Sequence, residues 1–429
     1  MPTLAVVMIV KNEAEWLPRC LDSVRSIADE IVIGDTGSTD NSKEIAAGSG
    51  ARVIDVPWND DFAEARNAVV AVATSDWLLH MDADETLDED GARAIRDRVD
   101  ADGDGADAIE VMLANYSDDM RAWLWRPVTP NDPAARGRTG YIAVPLLRLF
   151  RNGCGFEYRE PVHENITESV IERGGVVCRQ HEIVIHHHGF GKGGNDKAEF
   201  YLRIAQRKTE LRPNDAKAWH DLGEQLVALG RPEEAEPAIR KALELDSSHL
   251  GAATTLANLM LNRGELAQAR AVLESIAAQE APHTLVALAA IACKQGRVDD
   301  ADTLINRAIS IAPRHVLARL TAARIADVRG YRKSAHMQLE AAFNFAQRVQ
   351  EVTERIDAMR MRDEADALAQ KGDMKAALAL LVAALKHDPE DPLIHLRIAT
   401  VLEHVGDRNR AGESRKRAYL LAPSLHSTP

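Results

Sequence analysis

An acidic triplet stands at the end of a short apolar run in the N-terminal part of the chain. Asp82-Ala83-Asp84 follows the run from Trp77 to Met81 and is followed at once by Glu85. Carboxylate oxygens are the ligands that hard divalent cations such as Mg²⁺ and Mn²⁺ prefer. The triplet therefore predicts a divalent-cation site. The alternative is a solvated turn after a strand, because short acidic triplets are common in loops.

A second polar segment, Asp35-Thr36-Gly37-Ser38-Thr39-Asp40, follows another apolar run. Gly37 permits a tight turn, and Ser38 or Asp40 can cap the next helix. Asp35, at the end of the run, is placed to accept hydrogen bonds from a base or a ribose. A well-capped loop without a ligand is the alternative interpretation.

The elements that must position these residues are short strands that alternate with helical segments, which predicts a parallel sheet. Ligands of such sheets bind beyond the carboxyl ends of the strands. Three polar segments each follow a predicted strand and should converge on one edge. They are Lys11-Asn12-Glu13, the segment from Asp35 to Asp40, and the segment from Asp82 to Glu85. The predicted strands are Leu4–Val10, Glu30–Gly34, Val53–Val56 and Trp77–Met81.

Farther along the chain the pattern changes twice. From about Ala106 to Gly189 β-like pieces appear, and after about Lys197 the chain is rich in Ala, Leu, Glu and Arg. A glycine recurs there at spacings of 34, 32, 34, 42 and 34 residues, which is typical of tetratricopeptide repeats. The long interval predicts an extended helix near residues 343–362 or an irregular repeat. The glycines are Gly230, Gly264, Gly296, Gly330, Gly372 and Gly406.

Four ordered motifs together resemble those of the family 2 glycosyltransferases with the GT-A fold. The motifs are Val10 to Glu13, Asp35 to Asp40, Pro57 to Asn67 and Trp77 to Glu85, and the likeness continues through Leu147 to Asn152, Val162 to Glu164 and His187 to Phe190. The resemblance implies an α/β domain over residues 1–196 with a mixed, mainly parallel sheet that binds a nucleotide sugar. An all-α solenoid of about six helix pairs would follow over residues 197–429.

The resemblance also implies roles for individual residues. Glu13 and Asp35 would hold the nucleotide, and Arg66 would lie near the diphosphate or the base. Asp84 would be the main ligand of Mn²⁺ or Mg²⁺, while Asp82 would contact the ribose, the metal or its water shell. For Arg66 the alternative is a salt bridge on the helix surface to Asp60 or Asp61.

The run His186-His187-His188 lies on or just after an apolar run, where successive side chains of a strand point to opposite faces. Similar enzymes place a histidine near the metal and the leaving diphosphate at this point, so we assign His187 to the metal. His188 departs from the family pattern, which leaves the register open by one residue.

An inverting glycosyltransferase needs a group that removes the proton from the acceptor as it attacks the anomeric carbon. Glu164, together with His163, is the candidate in the segment that begins at Pro161. The rivals are Glu160, His163 and Glu85, and the alternative is that His163 and Glu164 only brace a loop.

Composition limits the partners. The chain has 52 Lys and Arg against 66 Asp and Glu and lacks a basic stretch, so nucleic acid is not an expected partner. Its four cysteines make no CxxC pair, which suits a cytoplasmic protein. No run reaches the roughly 18 to 20 apolar residues of a membrane span. We expect any membrane contact to be peripheral, at the inner face.

These features predict metal-dependent, inverting transfer of a single sugar from a nucleoside-diphosphate sugar, with a UDP-sugar favoured. The chain lacks the QxxRW motif of processive synthases. The acceptor would be a protein, a peptide or a glycan recruited by the repeats, whose concave faces commonly bind peptides. Alternatively, the repeats only stabilise the enzyme or join it into a homodimer. Two other functions stay open, a lipopolysaccharide or exopolysaccharide glycosyltransferase and a non-catalytic repeat scaffold with a vestigial sugar-nucleotide domain.

Overall fold

A computed structural model describes residues 1–101, 105–122, 124–129, 131–161, 164–189, 195–276 and 280–427. Its contacts divide the chain into two compact units. The first contains Met1–Ser117 and Tyr141–Ala238, and the second contains Asp118–Gly140 and Ile239–Pro429. The division by contacts thus differs from the boundary at residue 196, which stays a prediction from the sequence.

A nine-stranded sheet is present in the described part of the chain. Its strands are β1 (Leu4–Val10), β2 (Glu30–Asp35), β3 (Arg52–Asp55), β4 (Trp77–His80), β5 (Glu85–Leu87), β6 (Ala108–Ser117), β7 (Trp125–Pro127), β8 (Gly140–Arg151) and β9 (Val177–His187). The order of hydrogen-bonded neighbours in the main path is β3-β2-β1-β4-β8-β6-β9-β5. The helices between these strands are α1 (Leu17–Val24), α2 (Ser42–Gly48), α3 (Phe62–Val70), α4 (Glu89–Asp100) and α5 (Thr167–Glu172).

The pairing of the strands confirms the predicted mixed sheet. Strand β1 runs parallel to β2 and β4, and β2 runs parallel to β3. Strand β4 is antiparallel to β8, β6 is parallel to β9, and β5 is antiparallel to β9. The carboxyl ends of β1, β2 and β4 therefore lie along one edge.

Alternate residues of β1 pack into two different cores. Val6 and Met8 belong to the cluster that contains Leu17 of α1, whereas Ala5 and Val7 belong to the cluster that contains Val69 of α3. Burial on both faces explains why this strand reads as an unbroken apolar run. It also fixes the register of the strand, since a slip by one residue would exchange the two sets.

After β9 the described chain is helical. The helices are α6 (Asn195–Leu211), α7 (Ala216–Ala228), α8 (Pro232–Leu245), α9 (Leu250–Asn262), α10 (Leu266–Ile276), α11 (Pro282–Lys294), α12 (Val298–Ile311), α13 (Val316–Val328), α14 (Arg332–Phe345), α15 (Gln350–Gln370), α16 (Met374–His387), α17 (Pro392–His404) and α18 (Arg408–Leu421), followed by a 3-10 helix (Pro423–Ser427). Helices α7 to α18 form six pairs, as the glycine spacing predicts.

The recurring glycines end the first helix of each pair. All six have positive φ values, from 70° to 87°, which favour glycine because other residues carry a Cβ. The long interval between Gly330 and Gly372 contains the 21-residue helix α15, which begins at Gln350. The extended helix is therefore present, but it begins later than the predicted position near residue 343.

The segment from Asp118 to Gly140 leaves the sheet after β6 and belongs to the second unit. Arg121 Nη2 lies 2.7 Å from Glu351 Oε2 of α15, and the backbone of Ala122 is hydrogen-bonded to the His283 ring of α11. This segment therefore packs on the helices of the second unit. In the described residues, no helix is both long enough and apolar enough to cross a bilayer.

Candidate active site

The loops after β1 and β2 are tied together by side chains of small polar residues. Asn12 N donates to Ser38 Oγ at 2.9 Å, and Glu13 N donates to Ser42 Oγ at 2.8 Å. Asp35 is buried, and its Oδ2 accepts hydrogen bonds from Gly37 N at 3.1 Å and Ser38 N at 3.0 Å. Two of the predicted segments thus meet at the sheet edge, and Asp35 orders its own loop there.

The third predicted segment forms a turn between β4 and β5. Glu85 is 1% exposed, and its Oε2 accepts a hydrogen bond from Asp82 N at 2.8 Å. Arg148 Nη2 of β8 donates to Glu85 Oε1 at 2.7 Å and lies 3.5 Å from Asp82 Oδ2. Burial raises the pKa of Glu85 to about 7, against the opposing charge of Arg148. The buried pair of Glu85 and Arg148 therefore holds the turn that carries the acidic triplet.

Arg66 of α3 connects two of the predicted site residues. Its Nε donates to Glu164 Oε1 at 2.6 Å, and its Nη2 donates to Asp82 Oδ1 at 2.9 Å. Burial would lower the pKa of Arg66, but the charges of Asp82 and Glu164 raise it above its usual value. Arg66 is therefore paired inside the site, rather than on the helix surface with Asp60 or Asp61.

Other residues of α3 hold the same segment that carries Glu164. Asn67 Nδ2 donates to Tyr158 O at 2.9 Å, while Tyr158 N donates to Asn67 Oδ1 at 2.8 Å. Phe62 N donates to Pro161 O at 3.0 Å. Phe62 and Arg66 are four residues apart and share one face of the helix. The Pro57 to Asn67 motif thus contacts Tyr158, Pro161 and Glu164.

His80 adds a neutral ring to this network. Its Nδ1 lies 2.9 Å from Tyr158 Oη, and its Nε2 lies 3.3 Å from Asp82 Oδ1. Burial and the charges of Arg148 and Arg66 hold the pKa of His80 well below its usual value. A neutral ring that donates from Nε2 to Asp82 and accepts at Nδ1 from the Tyr158 hydroxyl satisfies both contacts.

Asp82 is the acceptor on which these contacts converge. Burial alone would raise the pKa of Asp82, but Arg66, His80 and Arg148 hold it well below its usual value. Its carboxylate is therefore ionised and oriented by two arginines. The predicted roles of Asp82 at the ribose and at the metal both stay predictions.

His187 is the last residue of β9, the strand that pairs with both β5 and β6, and its side chain lies beside Asp84. In the ladder His187 faces Glu85 on one side and Asn115 on the other. Its Nδ1 is 2.6 Å from Asn115 Oδ1, and its Nε2 is 3.4 Å from Asp84 Oδ2. Burial lowers the pKa of His187, but Asp84 outweighs it and the pKa is raised.

The pair of Asp84 and His187 fits a divalent cation. A ring protonated on both nitrogens donates to Asn115 and to Asp84 without a metal. In the neutral ring, a hydrogen bond from Nδ1–H to Asn115 directs the Nε2 lone pair towards the Asp84 carboxylate, and a cation between these two groups would bind to both. Ligating histidines are commonly oriented in this way by a second polar group. Within the described residues, no group of three or more His, Cys, Asp or Glu side chains is placed to bind a metal. Two protein ligands would leave positions for phosphate oxygens and water, as Mg²⁺ prefers.

The structure brings Arg66, Asp82 and Glu164 into direct contact and pairs Asp84 with His187. Asp35 lies at the same sheet edge, as does the backbone of Glu13. His163 lies outside the described residues.

Several residues of the site were not assigned from the sequence. Asn115 lies on β6, which falls within the predicted region of β-like pieces but was not singled out as a strand. His80, Arg148 and Tyr158 lie in or beside the quoted motifs, where no role was assigned to them. Tyr201 of α6 was not assigned either, although burial and then the charges of Asp82 and Glu164 raise its pKa. Only the motifs could have drawn attention to His80 and Arg148, and nothing in the local sequence marks Asn115 or Tyr201.

Residues 5–163 match the sequence model of glycosyl transferase family 2, and residues 226–291 match a tetratricopeptide repeat model. The N-terminal part of the chain is therefore similar to the glycosyl transferase family 2 domains that this model describes. The expected resemblance is therefore confirmed for this part and for the repeats that follow. Both the order of the two parts and the mixed sheet agree with a GT-A domain followed by a repeat solenoid.

The chain is similar to several curated proteins. It is 32% identical over 255 residues to the TPR repeat-containing protein Synpcc7942_0270 of Synechococcus elongatus. The aligned residues make up 57% of this chain and 57% of that protein. It is 24% identical over 282 residues to the SPbeta prophage-derived glycosyltransferase SunS of Bacillus subtilis, with 61% of this chain and 60% of that protein covered. The chain thus spans less than two thirds of the length of these relatives.

A chain in the crystal structure of the APC/C hetero-tetramer Cut9-Hcn1 is 17% identical to this one, with 53% of this chain and 44% of that chain covered and a TM-score of 0.38. At that score the likeness is too slight to bear on function.

Proposed function

We propose that the chain is a glycosyltransferase that moves a single sugar from a nucleoside-diphosphate sugar to an acceptor. The observation that carries the proposal is the pairing of Asp84 with His187 beside the contacts of Arg66 with Asp82 and Glu164. All of these residues except His187 and Glu164 fall in the part that matches the family 2 model. We favour a UDP-sugar as the donor, in keeping with the family resemblance.

Asp84 and His187 are the residues that would hold Mn²⁺ or Mg²⁺. When bound, a divalent cation offsets the negative charge that develops on the departing diphosphate. Glu13, Asp35 and Asp82 would contact the nucleoside part of the donor. The carboxylate of Asp82, which Arg66 and Arg148 hold ionised, is a suitable acceptor for a ribose hydroxyl.

We propose that Glu164 is the base that removes the proton from the acceptor hydroxyl. The acceptor oxygen forms a bond to the anomeric carbon while the bond from that carbon to the diphosphate oxygen breaks, and the electron pair leaves with the diphosphate. Glu164 Oε1 accepts a hydrogen bond from Arg66, so we propose that Oε2 takes up the proton of the acceptor. A single displacement of this kind inverts the configuration at the anomeric carbon. His163, Glu160 and Glu85 are the rivals for this role.

The acceptor that we propose is a protein, a peptide or a glycan that the repeats recruit. A lipopolysaccharide or exopolysaccharide acceptor is the closest alternative. We place the reaction in the cytoplasm, where nucleoside-diphosphate sugars would be at hand.

The first test is a thermal-shift panel of UDP-, GDP-, CDP- and dTDP-sugars with and without Mn²⁺. A ligand that binds only the folded state raises the apparent stability by an amount set by its concentration relative to its Kd. We expect a metal-dependent shift with one donor, followed by release of the nucleoside diphosphate from that donor. D84N should remove the metal dependence, whereas D90N, at an exposed carboxylate of α4, should not.

Absence of a shift with every donor would contradict the proposal and favour the non-catalytic repeat scaffold. If D84N still showed a donor shift and full turnover, only the assignment of Asp84 as a metal ligand would be contradicted.

A further inference from the structure

A buried lysine of α6 lies between the segment that joins β8 to α5 and helix α7. Lys208 of α6 is 4% exposed, and its Nζ is 3.2 Å from Glu160 Oε2 and 3.3 Å from Asp221 Oδ2 of α7. Arg212 Nη1 lies 2.5 Å from Glu160 Oε1, and Lys217 Nζ lies 2.8 Å from Asp221 Oδ2. A buried ammonium is costly unless it is paired, so both carboxylates are needed to keep Lys208 there.

Glu160 and Glu164 lie beside a backbone bridge between Arg159 and Asn165. Arg159 N donates to Asn165 O and Asn165 N donates to Arg159 O, each at 3.0 Å, in an isolated antiparallel bridge. Glu160 and Glu164 are the next residues inside this bridge, one on each side. The position of Glu160 therefore bears directly on the position of Glu164.

The backbone of Glu160 is in an unfavourable conformation. Its φ is 78°, in the left-handed region, which a residue with a Cβ adopts only when its surroundings hold it there. The contacts of its side chain with Lys208 and Arg212 are the surroundings that can do so. Loss of Lys208 would thus release a strained residue at the base of the loop.

The loop is held from two sides. On one side α3 supplies Phe62, Asn67 and Arg66, which contacts Glu164 itself. On the other side α6 and α7 supply Lys208, which Asp221 holds in place. Phe200 of α6 also packs near Phe62, with ring centroids 6.4 Å apart. Helices α6 and α7 belong to the first unit in the division by contacts, in keeping with these side-chain contacts.

We propose that Lys208, held by Asp221 of α7, is a positioning residue that fixes Glu164 for proton removal through Glu160 and the backbone bridge of Arg159 with Asn165. This inference rests on the proposed function, because it assigns a purpose to the placement of Glu164. It gives α7, the first helix of the repeats, a role that is separate from acceptor recruitment.

The test compares K208M, K208R and R362M in the full chain. Arg362 is the matched control, since it is a 2% exposed cation whose Nη1 contacts two carboxylates, Asp327 at 2.6 Å and Asp391 at 3.1 Å, in the second unit. Hydrolysis of UDP-glucose with Mn²⁺, which uses water as the acceptor, gives kcat and KM without a known acceptor. Hydrogen exchange at the amides of Arg159 and Asn165 reports on the loop without any turnover.

We expect K208M to lower kcat by about 10- to 100-fold, as misplacement of a reacting group does, with little change in KM for the donor. K208R should restore most of kcat, and R362M should lower the melting temperature while leaving kcat unchanged. The two amides should exchange faster in K208M but not in R362M.

Unchanged kcat and unchanged exchange in K208M would overturn the inference. If the wild-type chain turns over none of the four donor types, the proposed function fails instead, and exchange at the two amides then decides whether Lys208 orders the loop. Equal losses of kcat in K208M and R362M would also overturn the inference, because they would trace the effect to stability alone.

Discussion

Arg66 donates from Nε to Glu164 across 98 positions of the sequence, at 2.6 Å. The contact joins the helix after β3 to the loop that precedes α5, two parts of the chain that carry separate sequence motifs. The same guanidinium also holds Asp82. One cation thus sets the relative positions of a proposed base and a proposed donor-binding carboxylate.

Replacement of Arg66 should therefore damage both stability and turnover. R66M leaves two carboxylates without their partner in a buried site, for which we expect a loss of about 3 to 5 kcal/mol in the free energy of unfolding. R66K keeps the charge but lacks the planar guanidinium that reaches both Asp82 and Glu164. It should therefore be more stable than R66M, but its donor turnover should still be slower than that of the wild type. Urea unfolding and donor turnover measure the two effects. Wild-type turnover in R66K would show that the fork is not required.

Gly189 should tolerate no side chain, because Asp84 occupies the space beside it. A Cβ on Gly189 would lie 1.6 Å from Asp84 Oδ2. We expect G189A to displace the Asp84 carboxylate and to weaken Mn²⁺-dependent donor binding, measured by titration calorimetry. G48A is the control, since a Cβ on Gly48 of α2 meets nothing within 4 Å. Equal donor binding in G189A and G48A would contradict the placement of Asp84.

Asn115 should matter through the His187 ring that it orients. N115L removes the acceptor for Nδ1, and loss of such a partner commonly lowers metal affinity by about 10- to 100-fold. N115D keeps an acceptor oxygen and should retain most of the affinity. Mn²⁺ binding in the presence of UDP measures the change, and equal affinities in the wild type and N115L would show that His187 is not a ligand.

The second unit should lose stability in mild acid because of two histidines in contact. The rings of His283 and His315 lie 4.4 Å apart, and burial lowers the pKa of each to about 4, with the charge of His315 adding to the effect on His283. An unfolded histidine titrates near 6.5. As the pH falls from about 6.5 to 4, the unfolded chain takes up protons that the folded chain excludes, so stability that is present above 6.5 is progressively lost.

H315N should reduce this loss. His315 Nδ1 accepts a hydrogen bond from Ala318 N at the start of α13, and asparagine caps helices well, so the cap is kept while the titration is removed. We expect the drop in stability between pH 7 and pH 4.5 to shrink by about 1 to 3 kcal/mol. Thermal unfolding of both chains at the two pH values measures it, and an identical drop would contradict the prediction.

Periodicity and spacing predicted the elements that repeat or alternate regularly. The buried strand β1 and the six glycine-ended helix pairs have local patterns, an apolar run and a period near 34, that require no knowledge of distant contacts. Strand β6 lies in the region predicted to hold β-like pieces but was not singled out, although it is ten residues long. Its polar residue Asn115 is buried because it meets His187 of β9, a partner 72 positions away.

The sequence by itself determined which residue types could do chemistry. The four motifs placed Asp35, Asp82 and Asp84 at one sheet edge, because parallel strands end at the same edge. Their partners were decided only by the tertiary structure. Arg66 meets Glu164, and Lys208 meets Glu160 and Asp221, because helices α3, α6 and α7 pack around one loop. Such contacts depend on how separate elements pack, and the sequence near each residue carries no record of that packing.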